Sequence, residues 1–316
     1  MKTLPSAIAI VVLMVSQAAA QDAKGRGAER AYPPDMPGAK VETYKTVGDT
    51  KLNLYIFEPA DLEAGQKRPC VVFFFGGGWT SGSPRQFLPQ CKYLATRGML
   101  AMAADYRVAS RHQVKAIDCV KDAKSAIRFV RTNAQRLHVD PDRIVAGGGS
   151  AGGHLAAATG TIEGFDEPAE DTNISSRPNA MLLFNPAVVL APVEGVALNE
   201  RRLAQLGERM GTAPRDLSPY HHIAKGAPPT AIFHGTADNT VPHATVVAFT
   251  KAMKDAGNTC LLFSYEDQGH GFFNYGRGRN EMFVTTLKEA DKFLGQLGYL
   301  QGEPTLEDPA PDVGDL

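Results

Sequence analysis

Apolar residues in this chain fall into short runs separated by longer stretches in which they recur every three or four positions. The runs Val41 to Val47 and Leu52 to Phe57 alternate apolar with polar residues and lie close together, as in an antiparallel hairpin. Later runs, at Val71 to Phe75, Met99 to Ala104, Arg143 to Ala146, Met181 to Phe184, Thr230 to His234 and Thr259 to Ser264, are more continuously apolar, as buried parallel strands require. Between them, Gln113 to Leu137 places Val114, Ile117, Val120, Ile127 and Val130 at helical steps with lysines and arginines in the gaps. Thr245 to Ala256 and Glu281 to Leu297 are further helices, each stopped by a glycine, Gly257 and Gly298. Strand alternating with helix predicts an α/β fold of about eight mostly parallel strands with flanking helices.

Some segments break that rhythm. Residues 163–178 are acidic and polar, and residues 187–223 hold one possible helix near Ala197 to Met210; both are expected to form a lid or cap. Residues 21–40, rich in proline, form an exposed lead-in, residues 41–300 a single catalytic domain, and residues 301–316, acidic and without a basic residue, a disordered tail.

Composition narrows the class without choosing it. With 43% hydrophobic and 21% charged residues the chain has material for a substantial core, and a net charge of −1 with no Lys/Arg cluster argues against nucleic acid as a partner. Lys2, the apolar run Ala7 to Val15 and Ala18-Ala19-Ala20 have the three parts of a secretory signal peptide. The run is about half the ~20 apolar residues that a membrane span needs. A mature chain from Gln21, secreted or periplasmic and without a stable membrane anchor, is expected. An oxidising compartment permits disulfides among Cys70, Cys91, Cys119 and Cys260, but their places beside strands and on a helix favour buried free thiols.

The chemistry gathers around Gly148-Gly149-Ser150-Ala151-Gly152. This is Gly-x-Ser-x-Gly between an apolar strand and a run of helix formers, the pattern of a sharp turn that exposes a nucleophilic serine. Such a serine needs a base, and the base needs an acid to orient it, in the chain order serine, acid, histidine. Asp238 follows the strand Thr230 to His234, and His270, flanked by Gly269 and Gly271, follows the strand Thr259 to Ser264, so Ser150, Asp238 and His270 are the candidate triad. His222 is the second choice for the base. Asp255 belongs to a helix, and Glu266 and Asp267 share the loop of His270, which leaves Asp238 to approach the imidazole from a separate strand end. The loop Phe75-Gly76-Gly77-Gly78-Trp79, at the end of another buried strand, offers backbone N–H groups for an oxyanion; Gly77, Gly78 and Ala151 are the candidate donors, with the Trp79 amide as the alternative within the loop. Trp79 and Phe272 are candidate substrate contacts.

These motifs, with Asp105-Tyr106-Arg107, Asp140-Pro141-Asp142-Arg143-Ile144 and Ser150-Ala151-Gly152-Gly153-His154-Leu155-Ala156, make the chain from Val41 to about Leu297 resemble the esterase/lipase branch of the α/β-hydrolase family. The phrase His234-Gly235-Thr236-Ala237-Asp238 with Val241-Pro242 is similar to that of carbohydrate-esterase, feruloyl-esterase and prolyl-oligopeptidase-like members. Phe75 departs from the pattern, standing where histidine is usual; it cannot fix the loop by hydrogen bonding, so packing has to. The resemblance implies a cofactor-free serine hydrolase with an acyl-enzyme intermediate, and no metal site is expected because neither His-x-x-x-His nor Cys-x-x-Cys occurs in the sequence. The leading expectation is a secreted carboxylic-ester hydrolase acting on a small-molecule or oligosaccharide ester, with acetyl or feruloyl groups of polysaccharide as candidates. A prolyl-oligopeptidase-like peptidase and a non-enzymatic binding protein on the same fold are the alternatives.

Overall fold

The computed structural model describes residues 32–314, so the expected signal peptide and most of the lead-in lie outside the described residues. A division of the chain falls between Pro37 and Gly38. Residues 32–37 form no regular element, and among the described residues the strands and helices belong to the part from Gly38 onward.

The strands are β1 (Lys40–Val47), β2 (Thr50–Phe57), β3 (Arg68–Phe74), β4 (Leu100–Ala104), β5 (Val139–Gly149), β6 (Ala180–Phe184), β7 (Thr230–Gly235) and β8 (Cys260–Tyr265). They form one eight-stranded sheet in the order β1-β2-β4-β3-β5-β6-β7-β8. β1 pairs with β2, and β2 with β4, antiparallel; the other neighbours are parallel. β4 and β6 are buried at every residue, which is why their sequences are continuous apolar runs rather than alternating ones. The main helices are α1 (Leu88–Thr96), α2 (Ala116–Thr132), α3 (Ala151–Thr161), α4 (Glu200–Met210), α5 (His243–Asp255) and α6 (Glu281–Gln296). α2 shows how sequence becomes packing: the Asp118 carboxylate accepts the Lys115 N–H at its start, and Cys119, Val120, Ala123, Ile127 and Val130 form the buried stripe.

The acidic segment expected as half of a lid is tied to α2 instead. Asp166 and Glu170 bind Arg128 at 2.5 and 2.6 Å, Glu167 binds Lys45 at 2.8 Å, and Lys45 in turn binds Asp122 at 2.8 Å beside Arg107. Lys45, Arg107, Lys124 and Arg128 are all buried, and a buried cation requires paired carboxylates, so the acidic residues are fixed where those cations are. Only the second of the two expected segments, through Ala187, Leu190 and α4, borders the site.

The tail also differs from the expected disorder. Gln301 and Gly302 carbonyls accept from Arg97, Thr305 N–H donates to the Tyr93 hydroxyl, Tyr275 donates to the Pro311 carbonyl at 3.0 Å, and Leu306 is buried. Backbone carbonyls on basic and hydroxyl groups of the core hold this stretch, a device that its acidic composition hides. All four cysteines are free and buried.

Candidate active site

The sheet reverses its winding between β3 and β5, and at such a switch point adjacent strand ends open a crevice. Phe74 of β3 is level with Gly148 of β5, which brings the glycine loop after β3 beside the turn after β5. Ser150 stands in that turn at φ +55°, ψ −116°, a strained conformation for a residue with a side chain. Its N–H donates to the Phe184 carbonyl, and its own carbonyl accepts from His154 and Ala187, so the strain is held from both sides. A Cβ at Gly152 would lie 1.9 Å from the Phe74 carbonyl oxygen; glycine is what allows α3 to start this close to β3.

Two strand ends farther along bring the other expected residues to it. Asp238, after β7, and His270, after β8, lie on neighbouring parallel strands. His270 Nε2 is 3.0 Å from Ser150 Oγ, and His270 Nδ1 is 2.7 Å from Asp238 Oδ2. With the carboxylate accepting, Nδ1 carries the proton and Nε2 is left to accept from the serine hydroxyl. Asp238 Oδ1 takes the Thr240 and Val241 N–H groups at 2.8 Å each. Burial pushes this carboxyl up, but hydrogen bonds from His270 and Val241 and the nearby imidazoles prevail, and its pKa lies below the usual value. His222, the second choice for the base, only meets the Arg215 carbonyl, and Asp255 is spent on Lys251 at the surface.

The glycine loop is held by packing, as Phe75 demands, and also by hydrogen bonds that the sequence did not announce. The Phe75 ring stacks on Tyr106 at 4.0 Å, and the Tyr106 hydroxyl donates to the Phe75 carbonyl at 2.7 Å. Gln86 Oε1 accepts the Gly76 N–H at 2.6 Å, while its amide donates to Asn274, which in turn donates to the Gly271 carbonyl. One side-chain relay thus joins the glycine loop to the histidine loop. Trp79 Nε1 donates to His154 Nδ1 at 3.1 Å, and His154 Nε2 meets the Leu217 carbonyl at 2.7 Å; burial lowers this imidazole to about 4 and keeps it neutral. The N–H groups of Gly77, Gly78 and Ala151 have no hydrogen-bond partner among the described residues.

A cavity of about 230 Å³ adjoins the serine, lined by Gly78, Trp79, Ser150 and Ala151, by Ala187 and Leu190, by Gln205, Leu206 and Arg209 of α4, and by Thr240 and Val241. Trp79 is therefore at the site as expected. Phe272 is not among the lining residues: it is buried with its ring against Tyr265 and Phe273, because the aromatic cluster under β7 and β8 takes it into the core. Beyond the expected residues, Asn185 and His234 support the histidine and acid loops. Asn185 Oδ1 accepts the Gly271 N–H at 3.1 Å. His234, lowered to about 4 chiefly by burial, meets the Val241 carbonyl at 2.9 Å and has Nε2 3.4 Å from Asp238 Oδ2. A polar residue directly after an apolar strand, as in Phe184-Asn185, was the available signal for the first; nothing in the local pattern marked Gln86.

A mostly parallel sheet with a serine on a strained turn after β5, a carboxylate after β7 and a histidine after β8 defines a serine hydrolase of the α/β-hydrolase fold. The family model described as BD-FAE matches residues 54–253. A thermophilic esterase from the planctomycete Thermogutta terrifontis, solved with propionate bound, is 57% identical, with a TM-score of 0.82 over 86% of this chain and 99% of that one. The same esterase has been solved with butyrate bound and phosphorylated by paraoxon. This chain belongs to the BD-FAE family of α/β-hydrolase esterases. Esterase LipQ of Mycobacterium tuberculosis is 26% identical over 272 residues, covering 81% of this chain and 63% of that protein. An acetylxylan esterase of Xylanibacter ruminicola is 27% identical over 282 residues, covering 86% of this chain and 52% of that protein. The match thus spans 63% and 52% of the length of these two relatives.

Proposed function

We propose that this chain is an exported carboxylic-ester hydrolase that removes short acyl groups, acetyl above all, from polysaccharide-derived esters through an acyl-enzyme on Ser150. The observation that carries the mechanism is the continuous chain from Ser150 Oγ to His270 Nε2 at 3.0 Å and from His270 Nδ1 to Asp238 at 2.7 Å. Ser150 Oγ attacks the ester carbonyl carbon while His270 Nε2 takes its proton. Asp238 steadies the imidazolium, and the Gly77, Gly78 and Ala151 N–H groups receive the oxyanion. Collapse of the tetrahedral adduct breaks the bond to the alcohol oxygen, which leaves with the proton from His270. Water, deprotonated by the same imidazole, then attacks the acyl carbon, and the acid departs as Ser150 regains its proton.

A 230 Å³ cavity bounded by Leu190 and Leu206 supports a short acyl group, as do the propionate and butyrate seen in the Thermogutta esterase. The acetylxylan esterase among the relatives supports a sugar alcohol, and the signal-peptide pattern of residues 1–20 supports export toward such polymers. The test is a screen of 4-nitrophenyl esters of rising chain length with acetylated xylan and methyl ferulate, run on the wild type and on Ser150→Ala. Turnover is expected to fall beyond butyrate and to vanish in Ser150→Ala. Hydrolysis that survives the serine substitution overturns the mechanism, preference for long acyl chains or ferulate overturns the acyl assignment, and a secreted product that still begins at Met1 overturns processing.

A further inference from the structure

Helix α4 forms one wall of the cavity at Ser150, and its side chains divide by helical spacing. Leu206 and Met210, four apart, are buried. Gln205 and Arg209, also four apart and one position earlier, line the cavity. The end of the helix is pinned: Lys115 Nζ donates to the Glu208 carbonyl at 2.8 Å, and Gly211, at φ +77°, leaves no room for a side chain against Lys115 and Ile117. Arg209 is therefore presented to the site by a fixed element, and its Nη1 lies 3.5 Å from where a Cβ on Gly78 would stand.

Its company is what singles it out. Among the described residues, Arg209 is the only charged side chain lining this cavity. Arg107, Arg111 and Arg128 are committed to Asp122, to the Gly82 carbonyl, and to Asp166 and Glu170. Arg209 makes no hydrogen bond or ion pair within the described residues and is exposed. A guanidinium offers a planar fork of N–H donors matched to a carboxylate, and here it stands at the mouth of a small site whose other described lining residues are uncharged. We infer that Arg209 is a specificity residue that receives a carboxylate carried by the ester substrate, so that anionic esters are favoured over neutral ones of the same size. An acetylated acidic sugar has this chemistry. The inference rests on the esterase reading of Ser150 and extends it to the charge of the substrate.

Two matched pairs test it and locate the carboxylate: 4-acetoxybenzoate against its methyl ester, with the charge on the alcohol side, and monoethyl glutarate against ethyl valerate, with the charge on the acyl side. For at least one pair, Arg209→Ala is expected to lower the anionic-to-neutral ratio of kcat/KM about fivefold, the upper end for an exposed ion pair, with the change carried by KM. Arg209→Glu lowers it further, and the wild-type preference shrinks with added salt. A ratio unchanged in both pairs overturns the inference. So does an equal loss on anionic and neutral esters, which makes Arg209 an aid to the oxyanion or to the fold. The affinities of Ser150→Ala and of Ser150→Ala with Arg209→Ala for the same esters are measured alongside. A wild type that turns over none of them defeats the esterase reading, and these affinities then decide the anion site by themselves: tighter binding of the anionic ester that disappears with Arg209 upholds it, and equal binding refutes it.

Discussion

Replacing Gly77 by alanine asks whether the glycine loop holds the oxyanion. Gly77 sits at φ +129°, and a Cβ there would lie 2.1 Å from the Ser81 carbonyl oxygen and 2.7 Å from its carbon. Both are backbone atoms, so no rotamer relieves the overlap. The Gly77 carbonyl, which accepts the Thr80 and Ser81 N–H groups at 3.1 Å each, has to move instead. Restoring ordinary contact takes a displacement of roughly 1 Å, enough to lower a rate about 10²-fold when it misplaces a reacting group, and loss of one oxyanion donor lowers turnover about 10²- to 10³-fold. Gly77→Ala should therefore lose kcat on 4-nitrophenyl acetate within that range, with KM little changed. Gly78→Ala is the control. At φ +63° its Cβ would meet only Arg209 Nη1, at 3.5 Å, and the left-handed backbone costs alanine about 1–2 kcal/mol. Steady-state kinetics on both variants, with thermal unfolding to establish that each is folded, provides the measurement. A folded Gly77→Ala enzyme with near-normal kcat refutes the reasoning, as does a Gly78→Ala enzyme that falls as far.

Asp238→Asn should lose about 10⁴-fold in kcat, by analogy with the same change in a serine-protease triad, whereas Asp255→Asn, on the surface with Lys251, should be silent; the reverse order reassigns the acid. His154 and His234 are lowered to about 4, against ~6.5 in the unfolded chain, so between those values the unfolded state binds more protons and stability is lost as pH falls. Urea unfolding should show about 2 kcal/mol less stability per histidine at about pH 5 than at pH 7, and His154→Gln should remove the share that belongs to His154; equal midpoints at the two pH values contradict it. Turnover should survive exhaustive dialysis against a chelator, since nucleophile, base and N–H donors are all protein groups; loss that zinc or calcium restores defeats this. Ending the chain at Leu300 should lower the melting temperature, because Tyr93 and Arg97 lose the carbonyl and N–H partners that the tail gives them; an unchanged melting curve shows that the tail contributes nothing.

The strands were legible because burial on both faces leaves a parallel strand few polar positions, and β4 and β6 carry that mark plainly. Ser150, Asp238 and His270 were legible because each directly follows such a strand and the chain order is restrictive. α1 was harder to read: its nine residues include a proline and cover too few turns for a period to emerge. The segment 163–178 misled because acidic composition reads as solvated, and only the fold reveals that Lys45, Lys124 and Arg128 stand buried opposite it. Gln86 and Asn274 are 188 residues apart, and no local pattern announces a hydrogen bond across that distance.

The four buried thiols make this chain its own unfolding indicator. Burial pushes each of them up, Cys260 to about 11 and the other three further, so at neutral pH almost none is present as reactive thiolate. The folded molecule therefore concentrates its nucleophilic character in one serine oxygen, and an alkylating reagent meets its sulfur only when the chain opens. Alkylation at rising urea then follows the opening around each cysteine separately, Cys70 in β3, Cys91 in α1, Cys119 in α2 and Cys260 in β8, as four internal gauges spread across the sheet and two of the helices that cover it.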